Sequence, residues 1–365
     1  MRQVRDQLTD LKDWWDDLHD LYSTVVQAVV MRIEDSIKAL SELKQQGCNV
    51  GSLNWKAPAE SRSFTYVQSG FEFDSKNGQT VRSLSKLADI PLVKHREIPD
   101  DVGIKEVTIK KEPTGEWYAC FAVDGKQTLK KPDHPERCAG IDVGILKYAH
   151  DTDGTAVESL DLSDERERLE RAQRDLSRKE HRSNNWEKQR QIVAQRHAAL
   201  KRKRRDFLHK LSNHYATECD LVAVEDLDAK GLVELPGNSR SRASAAWGAF
   251  KRMVEYKCER EGTHFVAVDP KETTKECTSC GVKTEKPLWV REHSCLSCVF
   301  EADRDANAAI NILSRGLSEL QLGAGYSEET PVETALPVDT PVSAKRVVES
   351  GSPTLKKRIA SAVSE

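Results

Sequence analysis

Four cysteines stand in two close pairs near the C-terminal third of this 365-residue chain. Two residues separate Cys277 from Cys280 and Cys295 from Cys298, and 14 residues lie between the pairs. Each pair can place two thiolates on one tight turn, and two such turns complete a tetrahedron around Zn²⁺. Four sulfur ligands leave no open position, so the spacing predicts a structural zinc ribbon. Two disulfides or a chance arrangement are the alternatives, and Val299 stands where a regular second turn would have glycine.

Three carboxylates stand within or at the end of predicted strands or at the start of a predicted helix, where they could bind a ligand. Asp142 interrupts an apolar strand, Glu225 closes the apolar run 221–224, and Asp305 begins a predicted final helix. Taken alone, each has an ordinary explanation: an Asp bonded to backbone amides, a cap on a following turn, and a residue favoured at a helix N-terminus. Asp303 fits the capping role better than Asp305. A buried carboxylate without a partner is costly, and a metal ion would remove that cost.

Together the three carboxylates predict a catalytic metal site. Acidic groups on a first strand, a later strand and a final helix are the arrangement of an RNase H-like site. Two divalent ions about 4 Å apart could activate water there and stabilise the leaving oxygen of a phosphodiester. Oxygen ligands suit Mg²⁺ or Mn²⁺. We therefore expect Asp142, Glu225 and Asp305 to converge and to act both as magnesium ligands and as the catalytic residues.

A basic stretch predicts contact with nucleic acid although the net charge of the chain is −3. Between residues 163 and 211, 16 Lys and Arg stand against 8 Asp and Glu. Its densest part is suited to phosphates; it comprises Lys201, Arg202, Lys203, Arg204 and Arg205. The alternative is a solvated helix face.

The surrounding pattern indicates which elements position these groups. Apolar residues recur every three or four positions over 1–46, which predicts helices. Strands follow from about 61 to 124, with a hairpin across 112–115. A second unit begins near Cys138 with alternating strands and helices. Beyond 323, many Pro, Glu, Ser and Thr residues predict a disordered tail.

Composition sets the broad class. Hydrophobic residues make up 38% and charged residues 32% of the chain. No apolar run approaches the roughly 18 residues of a membrane span, and the N-terminus lacks the apolar core of a signal peptide, so a cytoplasmic protein is expected. The other cysteines are expected to be buried small hydrophobes; they are Cys48, Cys120, Cys138, Cys219 and Cys258.

Four motifs, in this order, resemble the TnpB/OrfB family of transposon-encoded proteins, which are similar to the nuclease half of type V CRISPR effectors. The motifs are Gly140-Ile141-Asp142-Val143-Gly144, Val224-Glu225-Asp226-Leu227, Cys277-Thr278-Ser279-Cys280-Gly281 and Asp303-Arg304-Asp305-Ala306-Asn307-Ala308-Ala309. The resemblance covers about 138–315. It implies that Asp142, Glu225 and Asp305 match the RuvC carboxylates. It further implies a guide RNA from the transposon end and cleavage of DNA beside a short target-adjacent motif.

The expected fold class is α/β, with an RNase H-like (RuvC) nuclease domain, an inserted zinc ribbon, and an N-terminal helical and small β-barrel region. The expected domains are 1–60, a helical recognition-type region; 61–137, a β-rich wedge-like region; 138–272, the RuvC-like core with a basic helical hairpin at 163–217; 273–302, the zinc ribbon; 303–322, the final RuvC helix; and 323–365, the tail.

One departure from the family pattern lies at the N-terminus. Family members open with a β-strand before their first helices, whereas this chain starts in helix, which favours a truncation or a misassigned start. The leading hypothesis is an RNA-guided DNA endonuclease. The alternatives are a truncated or inactive nucleic-acid-binding accessory protein of the transposon and a zinc-ribbon interaction module. The expected partners are DNA and the guide RNA, with no membrane, and the oligomeric state is left open between monomer and homodimer.

Overall fold

The computed structural model describes residues 2–54, 60–76, 79–87, 89–93, 102–124, 129–234, 243, 245–287 and 290–320. The predicted disordered tail, 323–365, lies outside these residues. The chain divides into two compact units, the first comprising Met1–Lys126 and Asp175–Gln195, the second Gln127–Arg174 and Arg196–Glu365. Among the described residues, no helix combines the length and apolar character that crossing a membrane requires.

The first unit begins with the predicted helices. They are α1 (Arg2–Trp14) and α2 (Ser23–Gln45), with a 3₁₀ turn at Asp16–Asp20 between them. Val25 of α2 packs against Tyr66 and Leu84 in a small apolar core. The helical prediction is therefore confirmed, with one interruption that the periodicity did not reveal.

The strands of the first unit form two sheets. They are β1 (Ser63–Val67), β2 (Phe71–Lys76), β3 (Gln79–Leu84), β4 (Ile90–Pro91), β5 (Gly103–Lys111) and β6 (Trp117–Asp124). One sheet has the order β1-β5-β6 and the other β2-β3-β4, all pairs antiparallel. The hairpin between β5 and β6 is as predicted. The small β-barrel stays a prediction, since the described strands divide between two sheets.

The second unit is built on one five-stranded sheet. Its strands are β7 (Cys138–Val143), β8 (Lys147–Asp151), β9 (Ala156–Glu158), β10 (Leu221–Glu225) and β11 (His264–Val268). Their order is β11-β10-β7-β8-β9. The strands β11, β10 and β7 are parallel, whereas β8 and β9 continue the sheet antiparallel.

Helices and a small two-stranded sheet make up the rest of the described chain; residues 175–195, which run across two of these helices, belong to the first unit. The helices and strands are α3 (Ser163–Ser177), α4 (Asn184–Glu218), α5 (Ala229–Glu234), α6 (Trp247–Glu261), β12 (Glu292–Ser294), β13 (Glu301–Asp303) and α7 (Arg304–Glu319). The basic stretch is thus two helices, interrupted at 178–183, slightly before the predicted break at 183–185. The last two strands pair antiparallel and flank the second cysteine pair in the sequence.

Alternation along the central strands separates two apolar layers. Val222 and Val224 of β10 face a core shared with α4 and α6. Leu221 and Ala223 face the opposite core, to which α7 contributes Ile312. Because successive strand residues point to opposite faces, Glu225 lies on the α7 face. The same alternation on β7 places Ala139 and Ile141 in the first core, and therefore Gly140 and Asp142 beneath α7.

A glycine allows α7 to lie directly on the sheet. A methyl group at Gly140 would overlap the carbonyl oxygen of Ala309 and approach the amide nitrogen of Leu313 to 2.7 Å. The helix backbone therefore rests on the β7 backbone at this point. Asp305 lies one helical turn before Ala309, which brings it toward the end of β7.

The prediction that the scattered cysteines are buried was wrong for two of them. Cys258 is buried, and Cys138 and Cys219 are partly so, but Cys48 and Cys120 are exposed. Cys120 lies on β6, at the edge of its sheet, and Cys48 follows the end of α2. Sequence spacing alone does not reveal which strand becomes an edge.

Candidate functional site

The two cysteine pairs meet in a four-thiol cluster. The Sγ atoms of Cys277, Cys280, Cys295 and Cys298 lie within 4.8 Å of one another. Two of the Sγ–Sγ distances are 3.6 Å (Cys277 to Cys298) and 3.5 Å (Cys280 to Cys295). A tetrahedral zinc with Zn–S bonds of about 2.3 Å separates its sulfurs by about 3.8 Å. The cluster therefore fits a structural zinc site, as the sequence predicts.

Both cysteine turns use the same backbone geometry. The Gly281 amide donates to the Cys277 carbonyl at 2.8 Å, and the Val299 amide donates to the Cys295 carbonyl at 3.1 Å. In each turn the residue after the second cysteine adopts a positive φ, 72° at Gly281 and 61° at Val299. This conformation favours glycine and strains a β-branched residue. Val299 was expected to make the second turn less regular. The second turn instead has the same geometry as the first, with Val299 in a strained backbone conformation.

The protein environment shifts the pKa values of two of the thiols in opposite directions. Burial raises the pKa of Cys277 to about 12, so a zinc ion must displace a tightly held proton there. Backbone amides of Cys298 and Ser297 lower the pKa of Cys295 to about 6, which favours its thiolate. Of these two thiols, Cys295 is therefore the one that more readily becomes the thiolate that zinc binds.

The structure brings the three candidate carboxylates to one end of the sheet. The parallel pairing of β7 with β10 aligns Ile141 with Val224, so Asp142 and Glu225 follow at the same level and on the same face. Asp305 stands in the first turn of α7, which covers that face. The pKa of Asp142 is raised well above its usual value, first by burial and then by the negative charges of Glu225 and Asp305. Asp142 is therefore near enough to Glu225 and to Asp305 to be affected by the charge of each.

Two of these carboxylates have partners in the protein. Thr273 donates its hydroxyl to Glu225 Oε1 at 2.5 Å. Burial raises the pKa of Glu225, while Thr273 and Arg315 oppose that shift. Arg291 Nη2 donates to Asp305 Oδ2 at 2.7 Å, and Arg304 Nε donates to Oδ1 at 3.0 Å. Cationic groups thus compensate the negative charge at this end of the sheet.

The carboxylates do not yet form a closed ligand set. Within the described part of the chain, the four cysteines are the one group of three or more acidic, Cys or His ligands whose atoms all lie within 4.8 Å. The Asp305 oxygens are engaged by two guanidinium groups instead. The donor set nonetheless fits a hard divalent cation, because buried carboxylates that repel one another are stabilised by a shared positive charge.

Asp303 caps α7, as its position predicts. Its Oδ1 accepts the backbone amides of Asp305 at 2.8 Å and Ala306 at 3.3 Å. The side chain is therefore occupied in holding the helix start, and the cap fixes the backbone that presents Asp305.

Two families of known proteins match separate parts of the chain. Residues 108–235 match the OrfB_IS605 family, described as "Probable transposase". Residues 247–312 match the family described as "Cas12f1-like, TNB domain". The second match includes the cysteine cluster and most of the described residues of α7.

Two relatives of known name show to which family this chain belongs. A Streptomyces pristinaespiralis protein named "Putative RNA-guided DNA endonuclease" is 34% identical over 278 residues, covering 74% of this chain and 67% of that protein. An Escherichia coli K12 protein named "Putative RNA-guided DNA endonuclease InsQ" is 30% identical over 297 residues, covering 76% of this chain and 72% of that protein. The chain belongs to the TnpB/OrfB family.

The fold of this TnpB/OrfB chain also occurs in a solved structure. The structure described as "Cryo-EM structure of the Cas12f1-sgRNA-target DNA complex" matches with a TM-score of 0.50 and 16% identity, covering 76% of this chain and 69% of that chain. The likeness shows a shared mixed α/β fold.

Three polar side chains on α7 bind the segment that leads into the first cysteine pair of this TnpB/OrfB chain. The sequence analysis did not identify them. Asn307 donates to the Glu276 carbonyl at 2.7 Å, and Asn311 donates to the Thr273 and Glu276 carbonyls at 2.9 and 2.8 Å. Arg315 donates from Nη2 to Glu276 at 2.8 Å. These helix residues are spaced four apart, and that spacing was the signal available in the sequence.

The basic cluster of the TnpB/OrfB chain lies on α4 and does not form one face. Five consecutive helical residues point in all directions around the axis. Lys201, Arg202, Lys203 and Arg205 are exposed, with Lys203 paired with Glu165 and Arg205 bonded to His209. Arg204 is half-buried, where desolvation lowers its pKa. All of the cluster except Arg204 therefore lies at the surface of α4.

Proposed function

We propose that this protein is an RNA-guided DNA endonuclease that hydrolyses phosphodiesters at a divalent-metal site formed by Asp142, Glu225 and Asp305. The position of Asp142 and Glu225 on one face at the end of the sheet, with the start of α7 and Asp305 over that face, is the observation that supports the proposal most directly. The names of the Streptomyces and Escherichia coli relatives support the RNA-guided, DNA-cutting part of it.

The proposal includes an RNase H-like (RuvC) identity for the second unit. Three parallel strands extended by two antiparallel ones, with the first carboxylate on the central strand β7, agree with it. In this arrangement Asp142 and Glu225 present oxygens from the rigid sheet, and the capped start of α7 presents Asp305. Mg²⁺ or Mn²⁺ held there would supply activation of water and charge stabilisation for phosphodiester hydrolysis. Thr273 orients the Glu225 carboxylate through its hydrogen bond.

A second candidate function is a nucleic-acid-binding accessory protein that does not cut. One observation favours it: Arg291 and Arg304 both bind the Asp305 carboxylate, and a guanidinium in that place competes with a metal ion. For cleavage, at least one of these ion pairs must yield to the cation.

The test is cleavage by the full-length, zinc-loaded protein with its own RNA. RNA that copurifies with the protein is sequenced, and a plasmid carrying the matching sequence beside randomised flanking bases is incubated with Mg²⁺. We expect cleavage by the wild type. Replacing Asp142, Glu225 or Asp305 by Ala should lower the cleavage rate at least about 100-fold, since even losing the partners of metal ligands costs about 10–100-fold.

Two neighbouring carboxylates are matched controls. Asp226 follows Glu225 but is bound by Lys251, and Asp303 caps the helix. Asp226→Asn and Asp303→Asn should retain most of the cleavage activity. RNA and DNA binding should be unchanged in the three Ala variants. Cleavage by Asp142→Ala at the wild-type rate would refute the proposed site, and an RNA-loaded wild type that binds target DNA without cutting it would favour the accessory function.

Phosphate binding by the exposed basic residues of α4 is proposed as part of the same function. Changing Lys201, Arg202 and Arg205 to Ala should weaken DNA binding to a similar degree on all sequences. It should also reduce the slope of log affinity against log salt by up to about 3, because each neutralised phosphate contributes about 0.9. The control exchanges Lys for Arg and Arg for Lys at these positions, which keeps the charge. An unchanged slope in the Ala variant would leave the cluster as a solvated helix face.

A further inference from the structure

A buried histidine lies beside Asp142 on the neighbouring strand. In the antiparallel pairing of β7 with β8, His150 lies directly opposite Asp142. Directly opposite residues point to the same face of a sheet, with Cβ atoms about 4.5–5.5 Å apart. The next pair, Ile141 with Asp151, belongs to the other face. His150 therefore lies beneath α7, beside Asp142.

The imidazole of His150 has no hydrogen-bond partner among the residues that the structure describes. The residue is 2% exposed, and both Nδ1 and Nε2 are buried and unpaired. The other buried imidazole among the described residues, His293, is bonded at Nδ1 to Lys286 at 2.9 Å and leaves only its Nε2 unpaired. Since buried polar groups in proteins are nearly always satisfied, the two nitrogens of His150 indicate a ligand that completes this position.

The chemistry of the pair indicates what that ligand is. A neutral imidazole nitrogen is a common ligand of divalent transition metals, whereas Mg²⁺ strongly prefers oxygen. Asp142 supplies carboxylate oxygens on the same face. A nitrogen beside carboxylates is a mixed donor set, which tolerates Mg²⁺ and favours transition-metal ions such as Mn²⁺.

We propose that His150 is a nitrogen ligand of the divalent ion at Asp142, and that it biases this site toward Mn²⁺ over Mg²⁺. The inference rests on the proposed metal site and adds a ligand and a metal preference to it. Three carboxylates alone would provide only oxygen ligands. A nitrogen bound to the metal ion would therefore distinguish this site from a site of carboxylates alone.

The experiment uses pulsed electron paramagnetic resonance on the full-length, zinc-loaded protein with one equivalent of added Mn²⁺. We expect a coupling between Mn²⁺ and a directly bound ¹⁴N nucleus in the wild type. The coupling should disappear in His150→Gln and His150→Leu. It should persist in His264→Gln, a matched control on β11 whose ring bonds the Pro132 carbonyl at 2.8 Å.

Calorimetric titration provides the second measurement. The Mn²⁺ dissociation constant should rise about tenfold in both His150 variants, within the range seen when the surroundings of a metal site are altered. The Mg²⁺ constant should change less, and His264→Gln should match the wild type for both ions.

Three outcomes would overturn the inference. Wild-type protein that binds Mn²⁺ without a ¹⁴N coupling would exclude His150 as a ligand; this measurement does not depend on the variants folding. Equal weakening of Mn²⁺ and Mg²⁺ binding would assign His150 a packing role. Wild-type protein that binds neither ion, apart from its zinc, would refute the proposed metal site together with the ligand, which distinguishes that failure from the other two.

Discussion

Val299 is the residue at which the cysteine cluster departs from ideal turn chemistry. Its φ of 61° strains a β-branched side chain that is 81% exposed, so little apolar burial offsets the strain. Val299→Gly should stabilise the zinc-bound ribbon by about 1 kcal/mol, the left-handed penalty of about 1–2 kcal/mol less the greater freedom of glycine in the unfolded chain. In competition with a chelator, the variant should lose its zinc more slowly than the wild type.

The opposite exchange in the first turn is the control for that prediction. Gly281 has a φ of 72° and open space around its α-carbon. Gly281→Val should therefore weaken zinc retention through backbone strain alone. Equal zinc retention by wild type and both variants would show that the turns relax without strain.

Asp151 should make the stability of the second unit depend on pH. Burial, followed by the charge of Asp153, raises the pKa of Asp151 to about 7. The folded state therefore holds this proton more tightly than the unfolded state, whose Asp pKa is about 3.9. The stabilisation is complete below the unfolded pKa and is lost as the pH rises through about 7. Unfolding free energy should fall with rising pH in this window.

The variant Asp151→Asn isolates that contribution. Its amide oxygen can still accept the Asp153 and Thr155 amides that Asp151 Oδ1 accepts, and its amide nitrogen can donate to Tyr215. Relative to wild type, the variant should gain roughly 2–3 kcal/mol between pH 5 and pH 8. Denaturant titrations at both pH values provide the comparison. A difference that is the same at pH 5 and pH 8 would mean that Asp151 titrates normally.

At the scale of elements, the contact of α7 with β7 determines where Asp305 lies. A methyl group at Gly140 would meet helix backbone, which cannot move aside as a flexible side chain would. Gly140→Ala should therefore destabilise the protein by about 1–3 kcal/mol or more, as overpacking does. It should also weaken Mn²⁺ binding, because the helix that carries Asp305 is pushed away from Asp142. Thermal unfolding and metal titration measure the two effects.

A strand glycine with free space is the matched control. Gly103 begins β5 and has no heavy atom within 4 Å of an added methyl. Gly103→Ala should change the stability by no more than about 0.5 kcal/mol. Wild-type metal binding in Gly140→Ala would show that the position of Asp305 does not depend on this contact.

At the scale of the whole molecule, zinc should stabilise more than the ribbon that binds it. The segment 273–278 before and within the first cysteine pair is held by Asn307 and Asn311 of α7. Structural zinc supplies on the order of 10 kcal/mol of folding free energy in small metal domains. Cys280→Ser, or removal of zinc by a chelator, should therefore loosen both the ribbon and the start of α7. Hydrogen exchange of backbone amides should accelerate across 273–310.

The same measurement contains its control. Cys120→Ser alters an exposed thiol outside the cluster and should leave amide exchange unchanged throughout. If Cys280→Ser accelerates exchange in 276–300 alone, α7 does not depend on the ribbon. Metal analysis that finds no zinc in the purified wild type would contradict the site itself.

The sequence by itself determined the features that depend on local spacing. Two Cys-x₂-Cys pairs specify a four-thiol cluster because each pair fits one turn, and the thiols do meet. The apolar runs around Asp142 and before Glu225 specify buried strands that carry these carboxylates. Asp303 is recognisable as a cap because capping is a contact of adjacent residues.

Tertiary structure alone decided the contacts between residues distant in the sequence. Arg291 binding Asp305, Asn311 binding the Thr273 carbonyl, and His150 facing Asp142 all depend on how strands and helices pair. Periodicity assigns a residue to a face of its own element, but the partner across that face is fixed by sheet order and helix packing. For the same reason the five basic residues 201–205 look equivalent in the sequence, whereas the fold exposes some of them and half-buries Arg204.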